Sequence, residues 1–476
     1  MENNCTPAIA PAHGRGLAAL ALAMLLASLG VSVATVALPT LARDFSAPVA
    51  HVQWVILAYL LAVTVAIVSG GRLGDLIGHR PVLLAGLGVF AAASAACAAA
   101  PTLGALIVAR AAQGFGGAIL MALPISIIRD MVPKERTGAA MGLMMTMSAV
   151  GTALGPSLGG LMIAWSGWRV VFLVLAIVGA AVLVFAVRGI PAPQCAGPRA
   201  RGSLDLPGAF ILALTLTAYS LAVTGGSDGF DAKSGVLLLG AAVGVVVFVV
   251  IERRRDMPLV QLAALRNRTT SAALFMNLLV SAVMMATLVV GPFYLTFALG
   301  LNEALAGLVM AVGPVTAALA GVPAGRITDR FGAPRVLLLG LVQTTAGLLC
   351  LAVLPALVGI AGYVLSLMLL TPGFQLFLAA NNTSVMTAAP DSERGMISGL
   401  LGLSRNLGLM TGASVMGAVF ALAVGRRDIA QAAPDAIGTA FSVTFLVAAG
   451  LTVVAALTAL IGRPSLELRE TQAELR

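Results

Sequence analysis

Long apolar runs recur along almost the whole length of this 476-residue chain. A helix that crosses a membrane needs about 20 apolar residues. Only 10% of the residues are charged, whereas a soluble domain has roughly 25%. The sequence therefore predicts an all-α membrane protein with 14 transmembrane helices. The predicted helices are 16–40, 52–71, 81–99, 103–125, 137–163, 168–187, 206–225, 234–252, 270–297, 304–324, 334–353, 358–382, 395–424 and 438–461.

Basic residues lie mainly in every second loop between these helices. One set of loops carries 21 of the 28 Lys and Arg residues. Because basic loops remain in the cytoplasm, both termini are predicted to be cytoplasmic, and the three Trp residues then lie near the outer interface. This topology explains the net charge of +9 without a nucleic-acid partner. The basic residues of the outer set are Arg43, Arg169, Lys233, Arg426 and Arg427.

The fifth predicted helix contains a face without side chains. Gly151, Gly155 and Gly159 lie at i, i+4 and i+8, and in lipid such a face lets a neighbouring backbone approach closely. Pro156 removes a backbone donor and favours a kink. One GxxxG pattern alone favours an ordinary close-packed helix pair, whereas the ten-residue pattern 151–160 is more specific.

Two segments of the chain occur twice. Residues 71–84 match residues 325–338 at seven of fourteen positions, and the Gly and Pro pattern of the fifth helix returns at 390–417. The repeats predict two pseudo-symmetric six-helix bundles, 1–187 and 270–476, with a linker at 188–269 that contains helices 7 and 8. Transporters are commonly built from such halves, with the substrate site between them near the bilayer midplane.

The segment 151–160 resembles the gxxxGPxxGG motif of exporters in the major facilitator superfamily. Over almost its whole length the chain resembles the fourteen-helix drug:proton antiporter branch, through GRLGDLIGHR after helix 2, RAAQG in helix 4 and two extra central helices. The resemblance implies a multi-pass efflux transporter of the bacterial inner membrane, of the multidrug or antibiotic-resistance type. It implies alternating access, with conformational roles for Gly155 and Pro156.

Asp75 and Asp329 occupy equivalent positions in the first repeat, at the cytoplasmic ends of helices 2 and 10. Their residue type and position fit a cap on the following helix that pairs with nearby Arg residues. The resemblance implies a second role, in which each Asp belongs to a latch that breaks when the carrier turns inward. Both interpretations use the same contacts, so the sequence leaves them open.

Arg110 in helix 4 and Arg405 in helix 13 are the two charged residues predicted deep in the membrane. A charge in lipid is costly, so each Arg is expected to face a cavity or a partner. Gln113 follows Arg110 on the same helix face. The resemblance links Arg110 to proton movement, although a structural Arg bound to backbone carbonyls is the alternative. Arg405 has no comparable motif.

Helix 1 departs from the pattern of the branch. Gly30 stands where the branch usually has Asp, Thr35 stands where it has Asn, and no Asp or Glu lies deep in any predicted helix. A buried cationic drug requires an acidic partner. We therefore expect Arg110 and Arg405 to form an electropositive cavity that favours neutral or anionic amphiphiles.

Polar residues on single helix faces are the further candidates for this cavity. Ser and Thr in helices often bond to their own backbone, so Asn and Gln rank above them. The candidates are Ser32 and Thr35 on helix 1, Asn277 on helix 9, and Gln375 on helix 12.

Three functions remain open from the sequence. The first is proton-driven export of a small amphiphilic substrate by a monomer in the lipid bilayer. The second is a metabolite or organic-anion carrier of the same fold without drug activity. The third, a membrane receptor or enzyme, is disfavoured because the sequence has no nucleophile–base set or metal cluster. No catalytic residue, metal or cofactor is therefore expected.

Overall fold

The computed structural model describes residues 11–131, 134–190, 206–224, 232–254, 267–388, 394–425 and 432–461, and all regular structure in these ranges is helical. A short helix, Val49–Val52, precedes α2, and a π-helical turn, Tyr294–Ala298, follows α9. The main helices before residue 333 are α1 Pro11–Asp44, α2 Trp54–Ile77, α3 His79–Ala99, α4 Leu103–Met131, α5 Lys134–Ser166, α6 Trp168–Gly189, α7 Leu206–Thr224, α8 Ala232–Arg253, α9 Arg268–Phe293 and α10 Glu303–Phe331.

The next helical run, Ala333–Ala388, is a hairpin of two helices. A straight helix of 56 residues would be roughly 80 Å long, against a hydrocarbon core of about 30 Å. Val358 and Gly359 leave helical geometry, and Gly359 has a φ of +58°, which glycine tolerates. The part before this kink, α11, packs against the part after it, α12, and Nε2 of Gln343 donates a hydrogen bond to the Leu369 carbonyl at 3.2 Å. The last two helices are α13 Arg394–Val424 and α14 Pro434–Ile461.

Twelve helices in the described ranges are long and apolar enough to cross a membrane. The hairpin 333–387 counts as one of them, and the apolar part of α7, Pro207–Val223, is shorter than the other spans. The all-helical membrane architecture is therefore confirmed. The number of crossings, fourteen, stays a prediction.

The two predicted halves contain the same kind of helix contact. Gly151 of α5 packs against the carbonyl of Leu25 in α1, and Gly408 of α13 packs against the carbonyl of Leu278 in α9. Both pairs bring two backbones together without an intervening side chain, as small residues allow in membranes. Leu25 and Leu278 are thus equivalent positions. We call α1–α6 the N-terminal half and α9–α14 the C-terminal half.

The helices α7 and α8 form a pair beside these halves. Gly244 of α8 packs against the Thr215 side chain of α7. α7 contacts α2 and α13, one helix from each half, and Ser414 Oγ donates to Ser220 Oγ at 3.5 Å. Most of the large apolar residues of α8 are exposed, as expected for a helix that faces lipid.

Candidate functional site

Arg110 lies in α4 and is completely buried. Its Nε donates to the Val55 carbonyl at 2.8 Å, and its Nη1 donates to the Gly30 carbonyl at 3.0 Å. Nη1 also donates to Oε1 of Gln113, one turn further along α4. The guanidinium group therefore connects α1, α2 and α4 inside the N-terminal half.

Aromatic rings complete the environment of this cation. The Arg110 Cζ lies 4.3 Å from the ring centroid of Tyr59 and 5.8 Å from that of Phe172, and such cation–π contacts contribute about 0.5–2 kcal/mol. The Tyr59 hydroxyl donates to the Ala27 carbonyl at 3.0 Å. Among the described residues no carboxylate pairs with Arg110, and its Nη2 has no acceptor. Carbonyl dipoles and ring faces therefore stabilise the charge.

Gln113 extends this network away from any open surface. Its Nε2 donates to Ser94 Oγ at 2.6 Å, and Ser94 Oγ donates to the Phe90 carbonyl at 2.6 Å. Both side chains are fully buried. The structure thus differs from the expected cavity formed by Arg110 and Arg405, because Arg110 and Gln113 form their hydrogen bonds inside the packed N-terminal half.

The position that lacks the expected acid lies directly at this arginine. A Cβ on Gly30 would be 3.1 Å from the Phe90 ring and 3.3 Å from the Tyr59 hydroxyl, closer than ordinary side-chain packing. The rings of Phe90 and Tyr59 fill the space that a carboxylate would need. The Gly30 carbonyl serves as the acceptor for Arg110 instead.

Ser32 and Thr35 belong to the contact between α1 and α5. Ser32 Oγ donates to the carbonyls of Ser28 at 3.2 Å and Gly151 at 3.3 Å, and Thr35 Oγ1 donates to the Ser32 carbonyl at 2.6 Å. A Cβ on Gly155 would overlap Ser32 Oγ. The two hydroxyl groups are therefore buried in helix packing and do not line an open cavity here.

The two halves meet where the glycine motif of α5 reaches α10. A Cβ on Gly160 would lie 3.0 Å from the Gly307 Cα, and one on Gly307 would overlap the Pro156 carbonyl oxygen. No residue larger than glycine fits either position without moving a backbone. The motif therefore forms a close contact between the halves as well as within one.

An ion pair lies at the same end of the molecule. Arg43 Nη1, in the last turn of α1, is 3.5 Å from Glu303 Oε1, in the first turn of α10. Thr40 Oγ1 donates to the same oxygen at 3.5 Å, and the Arg43 Cζ lies 4.7 Å from the Phe297 ring centroid. We call the contact formed by Arg43, Gly160, Glu303 and Gly307 the closed end.

Two candidates in the C-terminal half also bind backbone carbonyls. Asn277 Nδ2 donates to Leu401 at 2.9 Å, and Gln375 Nε2 donates to Ala317 at 3.1 Å. Asn277 is buried between α9 and α13, and its Oδ1 has no partner among the described residues. Gln375 is half-buried.

Two of the three remaining candidates, Arg405 and Asp329, are exposed. Arg405 is exposed on α13 and forms no hydrogen bond or ion pair with the described residues. Asp329 is exposed in the last turns of α10 and forms no ion pair with the described part of the chain. The Asp75 side chain lies outside the described residues. The predicted latch thus stays a prediction.

Sequence reasoning missed the pairing of Arg43 with Glu303. In the sequence, Arg43 is only one of the few basic residues in the outer loops. Glu303 follows Asn302, whose side chain caps α10 by accepting from the Leu305 N–H at 2.9 Å. The two residues are 260 positions apart in the chain. A Glu at a helix start gave no signal beyond favourable interaction with the helix dipole.

Comparison with known proteins identifies the family. The family model of the Major Facilitator Superfamily matches residues 20–256 and 270–475. The chain belongs to the major facilitator superfamily. It is accordingly a multi-pass membrane transporter and not an enzyme, as the sequence predicted.

Several known transporters are similar to this chain. It is 33% identical to the uncharacterized transporter YebQ of Escherichia coli, over 82% of this chain and 85% of that protein. It is 30% identical to the multidrug resistance protein Stp of Mycobacterium tuberculosis, over 88% and 79%, and 26% identical to the riboflavin transporter RibZ of Clostridioides difficile, over 84% and 87%. The family match and the efflux relatives confirm the resemblance to drug efflux members.

Solved structures show the same fold. A bacterial homologue of the human lysosomal transporter Spinster, in an inward-facing and unoccupied conformation, matches with a TM-score of 0.70 at 16% identity, over 96% of this chain and 99% of that one. The peptide transporter POT in complex with sulfate matches with a TM-score of 0.68 at 18% identity, over 94% and 95%.

Proposed function

We propose that this major facilitator superfamily transporter exports small amphiphilic compounds across the bacterial inner membrane by proton antiport. The observation that carries the proposal is the closed end. There the glycine motif of α5 and the pair Arg43–Glu303 join the two halves through contacts that can separate without breaking either half. Alternating access requires such separable contacts at each end of the molecule. Multidrug efflux proteins among the relatives favour export of drug-like compounds.

The topology that supports this function has fourteen crossings. The twelve candidate spans become fourteen when the hairpin 333–387 is counted as two crossings and α7 is added. The bundles 1–187 and 270–476 flank the linker 188–269, and both termini are cytoplasmic by the charge distribution. The closed end then faces outward, because Arg43 belongs to the sparse outer set of basic residues.

Proton coupling in this chain has two groups of candidates. Arg110 holds carbonyls of α1 and α2 together, so a change in its contacts would couple to movement of these helices. Asp75 and Asp329 would act as breakable latches at the opposite end, while Gly155 and Pro156 permit α5 to slide on α1. We assign substrate movement to the monomer.

A second candidate function is transport of organic anions without drug activity. The observation that favours it is the exposed Arg405 in a set of helices that has no deep carboxylate. The riboflavin transporter among the relatives shows that this sequence group is not limited to drug efflux proteins.

The test is uptake into proteoliposomes under an imposed pH gradient. The wild-type protein should accumulate an amphiphilic substrate only with the gradient, and Arg110→Lys should uncouple uptake from the gradient while folding is retained. The exposed Arg253 of α8, changed to Lys, is the matched control. Uptake by the wild type that ignores the gradient would refute proton coupling, and absence of uptake for every amphiphile would refute export.

A further inference from the structure

One face of α1 is covered near the closed end and uncovered further away. Residues 32–39 are all buried, whereas Leu22 is 37% exposed. Leu22 and Thr40 are 18 residues apart, or about five turns, so they lie on the same face of α1. The Thr40 hydroxyl donates a hydrogen bond to Glu303 of the C-terminal half. The Leu22 side chain is therefore directed toward that half, which does not cover it.

The equivalent position in the C-terminal half has the same pattern. Residues 289–296, at the end of α9 and in the π-helical turn that follows, are all buried, whereas Phe275 is 46% exposed. Phe275 is three residues before Leu278, as Leu22 is three residues before the equivalent Leu25. The pseudo-symmetry of the halves thus directs Phe275 back toward the N-terminal half. Two apolar side chains face a gap from opposite sides.

Arg405 lies on a face of α13 that is also buried near the closed end and exposed further away. Gly417 of α13 packs against the side chain of Gln53, the residue before α2, near the closed end. Six residues share the Arg405 face at helical spacing, and the first three are exposed or half-buried while the last three are buried. They are Gly402, Arg405, Leu409, Ala413, Met416 and Phe420.

The three exposed side chains lie on the same side of the closed end, at two depths. The C-terminal parts of α1, α9 and α13 all lie on the side of the closed end: Arg43 belongs to that contact, Phe297 in the π-helical turn after α9 lies against Arg43, and Gly417 of α13 packs against Gln53. Leu22 and Phe275 lie 21 and 22 residues before Arg43 and Phe297, or roughly 30 Å along a helix, and Arg405 lies 12 residues before Gly417, or roughly 18 Å. Arg405 therefore lies deeper in the gap, nearer the closed end, and Leu22 and Phe275 line the part further from that end.

The charge of Arg405 decides the chemistry of this gap. An exposed guanidinium in an apolar span must face water, because hydrocarbon would make it too costly. Arg110 has carbonyl and ring partners in the packed interior, whereas Arg405 forms no bond with the described residues. It is therefore available for an external anion, and an Arg binds carboxylate or sulfonate oxygens through two parallel hydrogen bonds.

We propose that Leu22, Phe275 and Arg405 form a binding site for amphiphilic anions. The carboxylate or sulfonate of the substrate binds Arg405, and its apolar body lies between Leu22 and Phe275. The site deepens the transport function proposed above and rests on it. It differs from the cavity expected from the sequence, since Arg110, Gln113, Ser32 and Thr35 are buried elsewhere.

The experiment measures binding of matched probes to the full-length protein in neutral detergent by titration calorimetry. The probes share a naphthalene body and are 2-naphthalenesulfonate, 2-naphthalenesulfonamide and 2-naphthyltrimethylammonium. The wild type should bind the sulfonate most tightly. Arg405→Gln should weaken sulfonate binding by about tenfold or more and sulfonamide binding by less than about twofold, because only the anion loses a charge-assisted bond.

Two further variants separate the roles of the site. Arg405→Lys should retain a preference for the sulfonate, and Phe275→Ala should weaken the sulfonate and the sulfonamide by equal factors. Arg253→Gln, which removes the same charge from an exposed position on α8, should change nothing. Equal losses for both probes in Arg405→Gln, or tightest binding of the ammonium probe by the wild type, would overturn the anion site.

A final arm distinguishes a soluble substrate from an anionic lipid. Uptake of the sulfonate should proceed in phosphatidylcholine vesicles and persist when phosphatidylglycerol is added, whereas competition by phosphatidylglycerol would overturn the assignment to a small substrate. Selective binding without uptake would refute the transport function and leave the anion site intact. Uptake of the ammonium probe that is unaffected by Arg405→Gln would refute the site and leave transport intact.

Discussion

The ion pair between Arg43 and Glu303 should stabilise the conformation in which the closed end is sealed. Replacement of Glu303 by Gln removes the charge and retains an oxygen that can still accept from Thr40. Two unit charges at the observed separation of 3.5 Å attract by about 1 kcal/mol in water and by several times more in a low dielectric.

The exposure of the two side chains determines whether the value for water or the value for a low dielectric applies. The Arg43 side chain is 46% exposed and that of Glu303 is 23% exposed, so solvent screens the pair and about 1 kcal/mol is the appropriate magnitude. A loss of that size changes the ratio of sealed to open molecules by about fivefold. We expect the same shift from Arg43→Gln, and no further shift when both changes are combined.

Spin labels at Trp165 and Ala433 would measure this ratio. Both residues are exposed beyond the closed end, one on each half, and double electron–electron resonance reports the fraction of molecules at the short distance. The double-mutant cycle isolates the pairwise term. Additive shifts in the double variant, or a failure of the exchange of Arg43 with Glu303 to restore the wild-type ratio, would refute the reasoning.

Three other changes test the packing and the topology. Gly155→Leu should lower the thermal unfolding midpoint and the free energy of unfolding by about 1–3 kcal/mol, because its side chain overlaps the neighbouring α1 hydroxyl; Gly240→Leu, which faces open space in α8, should not. Arg110→Ala should cost about 3–5 kcal/mol in the same assay, since three buried acceptors lose their donor. A cysteine at Lys233 should react with an impermeant maleimide from outside intact cells, and one at Arg253, at the other end of α8, only after permeabilisation.

For each of these three changes, one outcome would contradict the prediction. Equal midpoints for Gly155→Leu and Gly240→Leu would show that α5 and α1 do not pack as closely as described. A stable Arg110→Ala protein would remove the structural role of that arginine. Labelling of both α8 cysteines from the same side would contradict the crossing of this helix and the assignment of the termini.

The repeated apolar runs and the alternation of basic loops made the all-helical membrane class predictable from residues alone. The reason is that lipid offers no hydrogen-bond partner to a backbone, so an apolar run of that length has only the helix available. The glycine spacing of α5 likewise predicted a close backbone contact, because it concerns one face of one helix. The motifs sufficed to identify the family.

Contacts between distant parts of the chain were decided only by the tertiary structure. In the sequence, Arg110 and Arg405 are both single cations in apolar helices, and only Arg110 belongs to a recognisable motif. Folding surrounds Arg110 with the carbonyls of Val55 and Gly30 and leaves Arg405 uncovered on the same α13 face that is sealed near the closed end. The sequence predicts which charged residues lie in the membrane. Whether each of them has hydrogen-bond partners depends on how the helices of both halves pack, because that packing places the acceptors.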